Sequence, residues 1–315
     1  MAYSTFKTNP IDLIELLKDC HCGKLQLPDF QRSWVWDEDR IKALIASISR
    51  SFPVGALMAL DTGGEVNFKP RPVEGSPAQA KNATPQSLLL DGQQRMTSLY
   101  QVTLRNKVVE TVTPKNKKVK RWFYIDIRKA LDSTVDREEA IIGVPEDRIK
   151  RTAFGRDVAL DLSAPANEYA KLMYPLTQVF DWDPWQDGFD EHWRGNEHEE
   201  VRKTFRTFKH QVLENFKSYR VPVISLDRDT SKEAVCVVFE KVNTGGKALD
   251  AFELVTAMYA AEGHELRKDW YGDDKHNGRH RRFVDTMRLA DFRLLKIVIV
   301  NLMPTKIATE THDTI

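Results

Sequence analysis

Short apolar runs alternate with helical patterns through residues 1–130, and no other feature of the sequence limits the fold as strongly. The runs lie at 25–27, 56–60, 87–90 and 122–127, and glycine or proline bounds three of them. Runs of this length are typical of short buried strands, whereas the stretches between them repeat apolar residues at helical spacing. The sequence therefore predicts an α+β fold built around a small sheet.

Two helix starts are predicted in this part of the chain. Asn9 followed by Pro10 is typical of a helix cap with proline in the first turn, so a helix is expected from residue 10. Asp37 is expected to cap a second helix. The inward-facing residues would be Ile11, Ile14 and Leu17 in the first helix, and Ile41, Leu44, Ile45 and Ile48 in the second.

The remainder of the chain is predicted to change character twice. Residues 61–86 are rich in proline and glycine, which indicates a mobile loop. We expect 131–190 to form an irregular connecting region and 191–315 to form a mostly helical domain. Residues 221–226 are the one strand candidate in that last part.

Composition excludes several classes of protein. Of the 315 residues, 41% are hydrophobic and 30% charged, which excludes a disordered or fibrous chain. The 47 basic and 46 acidic side chains leave a net charge of +1, so a uniformly basic nucleic-acid coat is also excluded. The longest apolar stretch, 294–303, is too short to span a membrane. Three cysteines form no disulfide framework, and we expect a cytoplasmic protein.

The first motif with chemical content lies where a predicted strand runs directly into a predicted helix. It consists of Asp91, Gly92, Gln93, Gln94 and Arg95. Free backbone N–H groups at a helix start bind anions, glycine lets a phosphate approach the main chain, and an arginine fork suits phosphate oxygens. The aspartate could hold Mg²⁺, and a glutamine could orient a water. The alternative interpretation is an ordinary aspartate cap with polar residues facing solvent.

The second motif combines a glutamine–arginine pair with aromatic residues. Gln31 and Arg32 repeat the pairing of the first motif and could contact the same phosphate group. Phe30, Trp34 and Trp36 are candidates for stacking on a base. Alternatively, the aromatic residues belong to the core and the arginine forms a salt bridge.

The third motif occupies residues 239–250 and includes Asn243, Gly245 and Gly246. Asparagine and glycine here are typical of a helix C-cap, with a capping box for the next helix directly after it. The segment is not a phosphate-binding P-loop, because Ala248 stands where serine or threonine must bind magnesium. Nucleotide binding would therefore proceed without a P-loop.

Two stretches of the sequence are locally basic. Residues 105–121 contain seven basic side chains and one acidic one, and 201–220 contain six and one. Either stretch could follow a phosphate backbone, although a solvated surface is the common explanation.

Taken together, the three motifs resemble the N-terminal domain of GmrSD-type, modification-dependent restriction systems, over about residues 10–260. The resemblance implies a ParB/sulfiredoxin-like N-terminal domain over 1–130, with the third motif in a mostly helical C-terminal domain. It also implies a nucleoside-triphosphate-binding and hydrolysing module of anti-phage defence that uses Mg²⁺. Its expected partners are modified DNA and a His-Asn-His nuclease domain or subunit, and it could form a homo-oligomer.

The resemblance also implies roles for individual residues. The expected catalytic residues are Asp91, Gln93, Gln94 and Arg95, with Asp91 as the metal ligand. The expected nucleotide-binding residues are Gly92, Gln31, Arg32, Asn243, Gly245 and Gly246. From their aromatic rings, and not from the resemblance, Phe30, Trp34 and Trp36 are the expected DNA or base contacts.

Two other functions stay open at this point. The chain could itself be a metal-dependent nuclease with acidic residues near Asp91, or a DNA-binding or interaction module without catalysis. If nucleotide is hydrolysed, a glutamine would position water and the arginines would neutralise the phosphate. Arg32 and Arg95 must then lie together, and replacing Arg95 with alanine should abolish turnover while leaving the fold intact.

Overall fold

A computed structural model describes residues 6–31, 33–152, 156–231, 234–235 and 237–238, and the backbone of 272–273 and 276–277. Its largest sheet has six strands in the order β1-β12-β3-β5-β2-β4. These strands are β1 (Phe6–Asp12), β2 (Leu25–Pro28), β3 (Leu57–Asp61), β4 (Pro70–Arg71), β5 (Ser87–Asp91) and β12 (Arg220–Leu226). The sheet is mixed: β12 runs parallel to β3, β5 parallel to β2, and the other neighbours are antiparallel.

The predicted start of the first helix is wrong. Residues around Asn9 and Pro10 form β1, and helix α1 (Leu13–Cys22) begins only after Asp12. All seven residues of β1 pair with β12, and Pro10 lies opposite Pro222. Because β1 is an edge strand, a proline without an N–H is tolerated there. The partner strand lies about two hundred residues away in the sequence. No local signal therefore distinguishes a helix start from an edge strand at Asn9 and Pro10.

Two of the sequence predictions for helices are confirmed. Helix α2 (Glu38–Ser49) is capped by Asp37, whose Oδ1 accepts a hydrogen bond of 2.9 Å from the backbone N–H of Arg40. Helix α3 (Gln93–Leu99) follows β5 and continues as a π-helical segment, Tyr100–Leu104. The inner faces of α1, α2 and α3 are buried in one hydrophobic core with one face of the large sheet.

Residues 131–190, expected to be irregular, contain regular structure. A second sheet forms around β7 (Lys118–Asp126), which pairs with three strands. These are β6 (Val109–Val112), β8 (Ile141–Val144) and β11 (Met173–Pro175). Separately, β9 (Ile149–Thr152) pairs antiparallel with β10 (Asp157–Asp161). The helices are α4 (Ile127–Leu131), α5 (Arg137–Ala140), α6 (Pro165–Lys171) and α7 (Asp183–His192). Strands of three to five residues have too few positions to show a period, and β8 and β11 depend on the distant β7 for pairing.

A long helical segment precedes β12, in the part of the chain that is expected to be mostly helical. It consists of α8 (Glu199–Phe208), the π-helical segment Lys209–Leu213 and α9 (Glu214–Ser218). Its buried residues include Phe205, Phe208, Val212 and Phe216. The predicted strand at 221–226 is also confirmed as β12, which lies between β1 and β3 in the large sheet. The last part of the chain thus supplies an interior strand to the sheet built mainly from the first ninety residues.

The helices predicted beyond residue 239 lie outside the described residues. There the backbone of β13 (Gly272–Asp273) pairs antiparallel with β14 (His276–Asn277). The α+β fold class is confirmed, whereas the ParB-like relation and the helical C-terminal domain stay predictions. Within the described residues, no helix is both long and apolar enough to cross a lipid bilayer.

A buried carboxyl group beside the second sheet yields a pH prediction. Glu168 accepts hydrogen bonds from the Tyr124 hydroxyl (2.9 Å) and the Trp185 indole N–H (3.1 Å). Burial raises the pKa of Glu168 despite these two bonds and Arg148, so the folded protein holds this proton more strongly than the unfolded chain does. The stability contributed by protonated Glu168 is therefore present at low pH and lost as pH rises through the raised pKa.

We expect Glu168→Gln to change stability in a pH-dependent way. Glutamine stays neutral, so the wild type should lose free energy of unfolding relative to the variant as the pH rises from below the ordinary glutamate pKa, about 4.3, through the raised pKa of Glu168. Urea denaturation of both proteins across this range measures the difference, and the same substitution at exposed Glu139 is the control. A difference between wild type and Glu168→Gln that does not vary with pH contradicts the expectation.

Candidate functional site

The first motif lies at the junction of β5 and α3, as predicted. Asp91 ends the strand, Gly92 has φ +94°, and Gln93 begins the helix. A Cβ added to Gly92 would lie far inside van der Waals contact with Cδ2 of Leu57 on β3. Glycine is thus required here by the left-handed backbone and by packing against the neighbouring strand.

Arg95 is bonded to protein acceptors on three sides. Its Nη1 donates to the carbonyl of Val54 (2.7 Å), and its Nη2 donates to the carbonyl of Ala56 (2.9 Å) and to Oδ2 of Asp91 (3.1 Å). Its side chain is 19% exposed and that of Asp91 33%. Gly55, between the two carbonyls, has φ +89°, and a Cβ there would lie 2.6 Å from Nη1. The guanidinium therefore ties the loop before β3 to the end of β5.

Gln31 connects the second motif to the first. Its Nε2 donates to the carbonyls of Leu89 and Leu90, both at 2.9 Å. These are the last two residues of β5 before Asp91. The side chain is buried, and its Oε1 has no hydrogen-bond partner among the described residues. The sequence prediction that the two glutamine-containing motifs meet is thus correct for Gln31.

Gln94 holds the second motif against α3. Its Oε1 accepts from the backbone N–H of Val35 (2.9 Å), and its Nε2 donates to the carbonyl of Ser33 (3.2 Å). One turn further along, Ser98 Oγ accepts from the indole N–H of Trp34 at 2.9 Å. Residues 33–35 are consequently fixed to the helix by side chains of that helix. Gln93 is buried, with 7% of the residue exposed.

Two further residues hold this segment, and the sequence analysis missed both. Glu74 Oε1 accepts from the backbone N–H of Trp34 (3.1 Å) and from Nη1 of Arg71 (2.9 Å). Nη2 of Arg71 donates to the carbonyl of Gln31 (3.1 Å). Both residues lie in 61–86, the stretch expected to be a loop. Their spacing of three is the only local signal, and it does not indicate which distant backbone they contact.

The three aromatic residues of the second motif lie in two different environments. Phe30 packs against Phe68, with ring centroids 5.0 Å apart, beside a small apolar cluster on the large sheet. Trp34 and Trp36 are partly buried against the main core. Phe30 thus packs as the core alternative describes, and its contact with DNA stays a prediction. The two tryptophans also line a groove.

This groove lies between residues 34–36 and the hairpin formed by β6 and β7, and its volume is about 500 Å³. Thr111 Oγ1 donates to the carbonyl of Trp36 (2.7 Å), and Asp37 forms an isolated parallel bridge with Val112. The lining residues are Trp34, Val35, Trp36, Glu110, Thr111, Val112, Lys118, Val119 and Lys120. The aromatic segment and the basic stretch 105–121, treated separately in the sequence, thus share one groove.

Comparison with known proteins identifies the family. The family described as "GmrSD restriction endonuclease, N-terminal domain" matches residues 13–260. The chain belongs to this family. It is also 27% identical over 280 residues to Uncharacterized protein MJ0686 of Methanocaldococcus jannaschii, an alignment that covers 86% of this chain. The chain spans 45% of the length of that relative.

Several predicted site residues of this GmrSD N-terminal domain lie outside the described residues. These are Arg32, Asn243, Gly245 and Gly246. The expected proximity of Arg32 and Arg95 stays a prediction, although Gln31 and Ser33 on either side of Arg32 both contact the β5–α3 region. Among the described residues, no group of three or more histidine, cysteine or acidic side chains could hold a metal ion.

Proposed function

We propose that this chain is a nucleoside-triphosphate-binding and hydrolysing sensor of a bacterial anti-phage restriction system that acts on modified DNA. A His-Asn-His nuclease, in a further domain or in another subunit, would cut the DNA. Family membership supports the restriction-system part of the proposal. The nucleotide site would be the end of β5 and the start of α3.

The observation that carries this proposal is that the buried Gln31 side chain bonds the strand end directly before Asp91. The two residues come from motifs sixty positions apart, yet the Gln31 amide bonds the two carbonyls that directly precede Asp91. Its Oε1 is buried without a partner among the described residues, and a buried acceptor without a donor is costly. Phosphate oxygens only accept hydrogen bonds, so a water bound to the nucleotide or to its Mg²⁺ would be the donor that satisfies this oxygen.

The first motif offers one carboxylate, that of Asp91, to a magnesium-bound triphosphate. Mg²⁺ that arrives with a nucleotide is usually held by one or two carboxylates, with phosphate and water oxygens as its other ligands. Asp91 is the carboxylate of the motif, and its partly exposed side chain suits that role. The ion would neutralise phosphate charge. A cluster of acidic residues is not needed.

The three bonds of Arg95 lead us to assign it a positioning role. Its contacts with Val54, Ala56 and Asp91 fix the carboxylate at the strand end. Arg32, next to Gln31 in the sequence, would supply the cation for the phosphates. Gln93, in the first turn of α3, would orient the attacking water, as glutamines do in GTP hydrolysis.

Calorimetric titration of the purified chain with GTP, ATP, UTP and CTP, each with Mg²⁺, tests the proposal. At least one nucleotide should bind, and Asp91→Asn should weaken magnesium-dependent binding about tenfold or more and abolish phosphate release. The matched control is Asp61→Asn. Asp61 ends the antiparallel neighbour β3 and lies opposite Ser87, so it is at the other end of β5 from Asp91. Binding of no nucleotide, or equal effects of the two substitutions, would refute the assignment.

A further inference from the structure

The groove between residues 34–36 and the β6–β7 hairpin carries an inference about DNA contact. We infer that it binds a single strand of nucleic acid, with an unstacked base against the tryptophans and phosphates along the hairpin lysines. This inference gives the DNA-sensing part of the proposed function a location, and it rests on that function.

The walls of the groove are fixed by hydrogen bonds. Gln94 and Ser98 hold residues 33–35 from one side, and Thr111 holds the carbonyl of Trp36 from the other. The indole N–H of Trp34 is already bonded to Ser98, so its ring offers mainly apolar surface. A preformed apolar wall lowers the ordering cost of binding a flat ring.

The wall opposite the tryptophans carries two lysines and one glutamate, a net positive charge that favours an anionic partner. Lys118 and Lys120 line the groove, with Glu110 as the acidic residue among them. Lys120 forms an exposed pair with Glu146 at 2.9 Å, and such pairs are weak and easily exchanged. Within the described part of the chain, no acidic side chain pairs with Lys118. Lys115 and Lys117 extend the positive charge along the turn of the same hairpin.

Aromatic surface and lysines together favour nucleic acid over other anions. Base-stacking platforms beside a positive track are the common means of holding single strands, because every base has a π-face. A double helix keeps its bases stacked and could offer only its backbone to the lysines. An acidic peptide would use the lysines and leave the tryptophans without a partner.

The inference is tested by fluorescence polarisation, which measures the binding of a fluorescein-labelled oligodeoxythymidine of about 12 nucleotides. The salt concentration is fixed and no nucleoside triphosphate is added. Val35 is 51% exposed and lines the groove, so Val35→Glu places a carboxylate there at little structural cost. We expect about tenfold weaker binding for Val35→Glu. Val158, 60% exposed on the remote β10, gives the matched control Val158→Glu, for which no change is expected.

A second pair of variants tests the charged wall. Lys118→Ala should weaken binding severalfold and reduce the salt dependence by about 0.7 in log–log slope, the share of one phosphate contact on a single strand. Lys150→Ala, an exposed strand lysine on β9, should leave both quantities unchanged. Thermal melting of all four variants verifies that they are folded.

Three results would overturn the inference. They are equal losses for Val35→Glu and Val158→Glu, equal affinity for a duplex of the same length, and equal affinity for a polyglutamate peptide of equal charge. Because the assay contains no nucleoside triphosphate, its failure is distinguishable from failure of the nucleotide proposal, which the calorimetry tests without DNA.

Discussion

Replacing Gly92 with alanine is expected to lower the free energy of unfolding by about 3 kcal/mol. Part of this loss comes from holding a residue with a Cβ at φ +94°, a conformation that L side chains rarely adopt. The rest comes from the clash of that Cβ with Cδ2 of Leu57, which is itself buried in the main core. Urea denaturation measures the change as a lower midpoint with an unchanged slope.

Gly63 provides a control that separates the two causes. Its φ of +90° is nearly that of Gly92, but a Cβ added there would meet no atom within 4 Å. Gly63→Ala should therefore cost about 1 kcal/mol, from the backbone alone. If both substitutions cost the same, Leu57 can move aside, and the packing requirement at the junction is wrong.

Arg95→Ala is expected to cost about 3 kcal/mol of unfolding free energy. The substitution leaves the carbonyls of Val54 and Ala56 without their donor in a partly buried position, and each such loss costs about 1 kcal/mol or more. It also leaves Asp91 without its ion-pair partner. The sequence alone predicts an intact fold for this variant, whereas these contacts lead us to expect a folded but less stable protein. Urea denaturation gives the size of the loss, and hydrogen exchange at residues 52–56 gives its location.

Asp91→Asn is the comparison variant for this prediction. It removes one charge of the pair but keeps both bonds from Arg95 to the backbone, so it should cost less than about 1 kcal/mol. Similar losses in the two variants would indicate that the ion pair, and not the carbonyl bonds, supports the junction. This difference is also why Asp91→Asn, rather than Arg95→Ala, is the suitable variant for nucleotide assays.

Those parts of the fold that have local signals could be predicted from the sequence. The strands β2, β3, β5 and β7 and the cap at Asp37 each follow from a few adjacent residues. The β1 strand could not, because asparagine followed by proline is equally compatible with a helix start and an edge strand. Only the pairing with β12 decides between them, and that partner is distant in the sequence.

The candidate site shows the same division. The junction of Asp91 and Gly92 was predictable, because a strand, a glycine and a helix adjoin in the sequence. The partners of Arg95 were not, because a backbone carbonyl at position 54 or 56 carries no sequence signature. The role of Glu74 was hidden for the same reason, since its partner is the backbone of Trp34.

The amide of Gln94 connects the candidate nucleotide site to the groove beside the tryptophans. It is part of the conspicuous Asp-Gly-Gln-Gln-Arg string, and it also supports the backbone on which Trp34 and Val35 are mounted. A ligand that bonded the Gln94 amide would break its hydrogen bonds to Ser33 and Val35, whereas a ligand bound against the tryptophans would stabilise those bonds. Thermodynamic reciprocity then requires each binding event to alter the affinity of the other by the same factor.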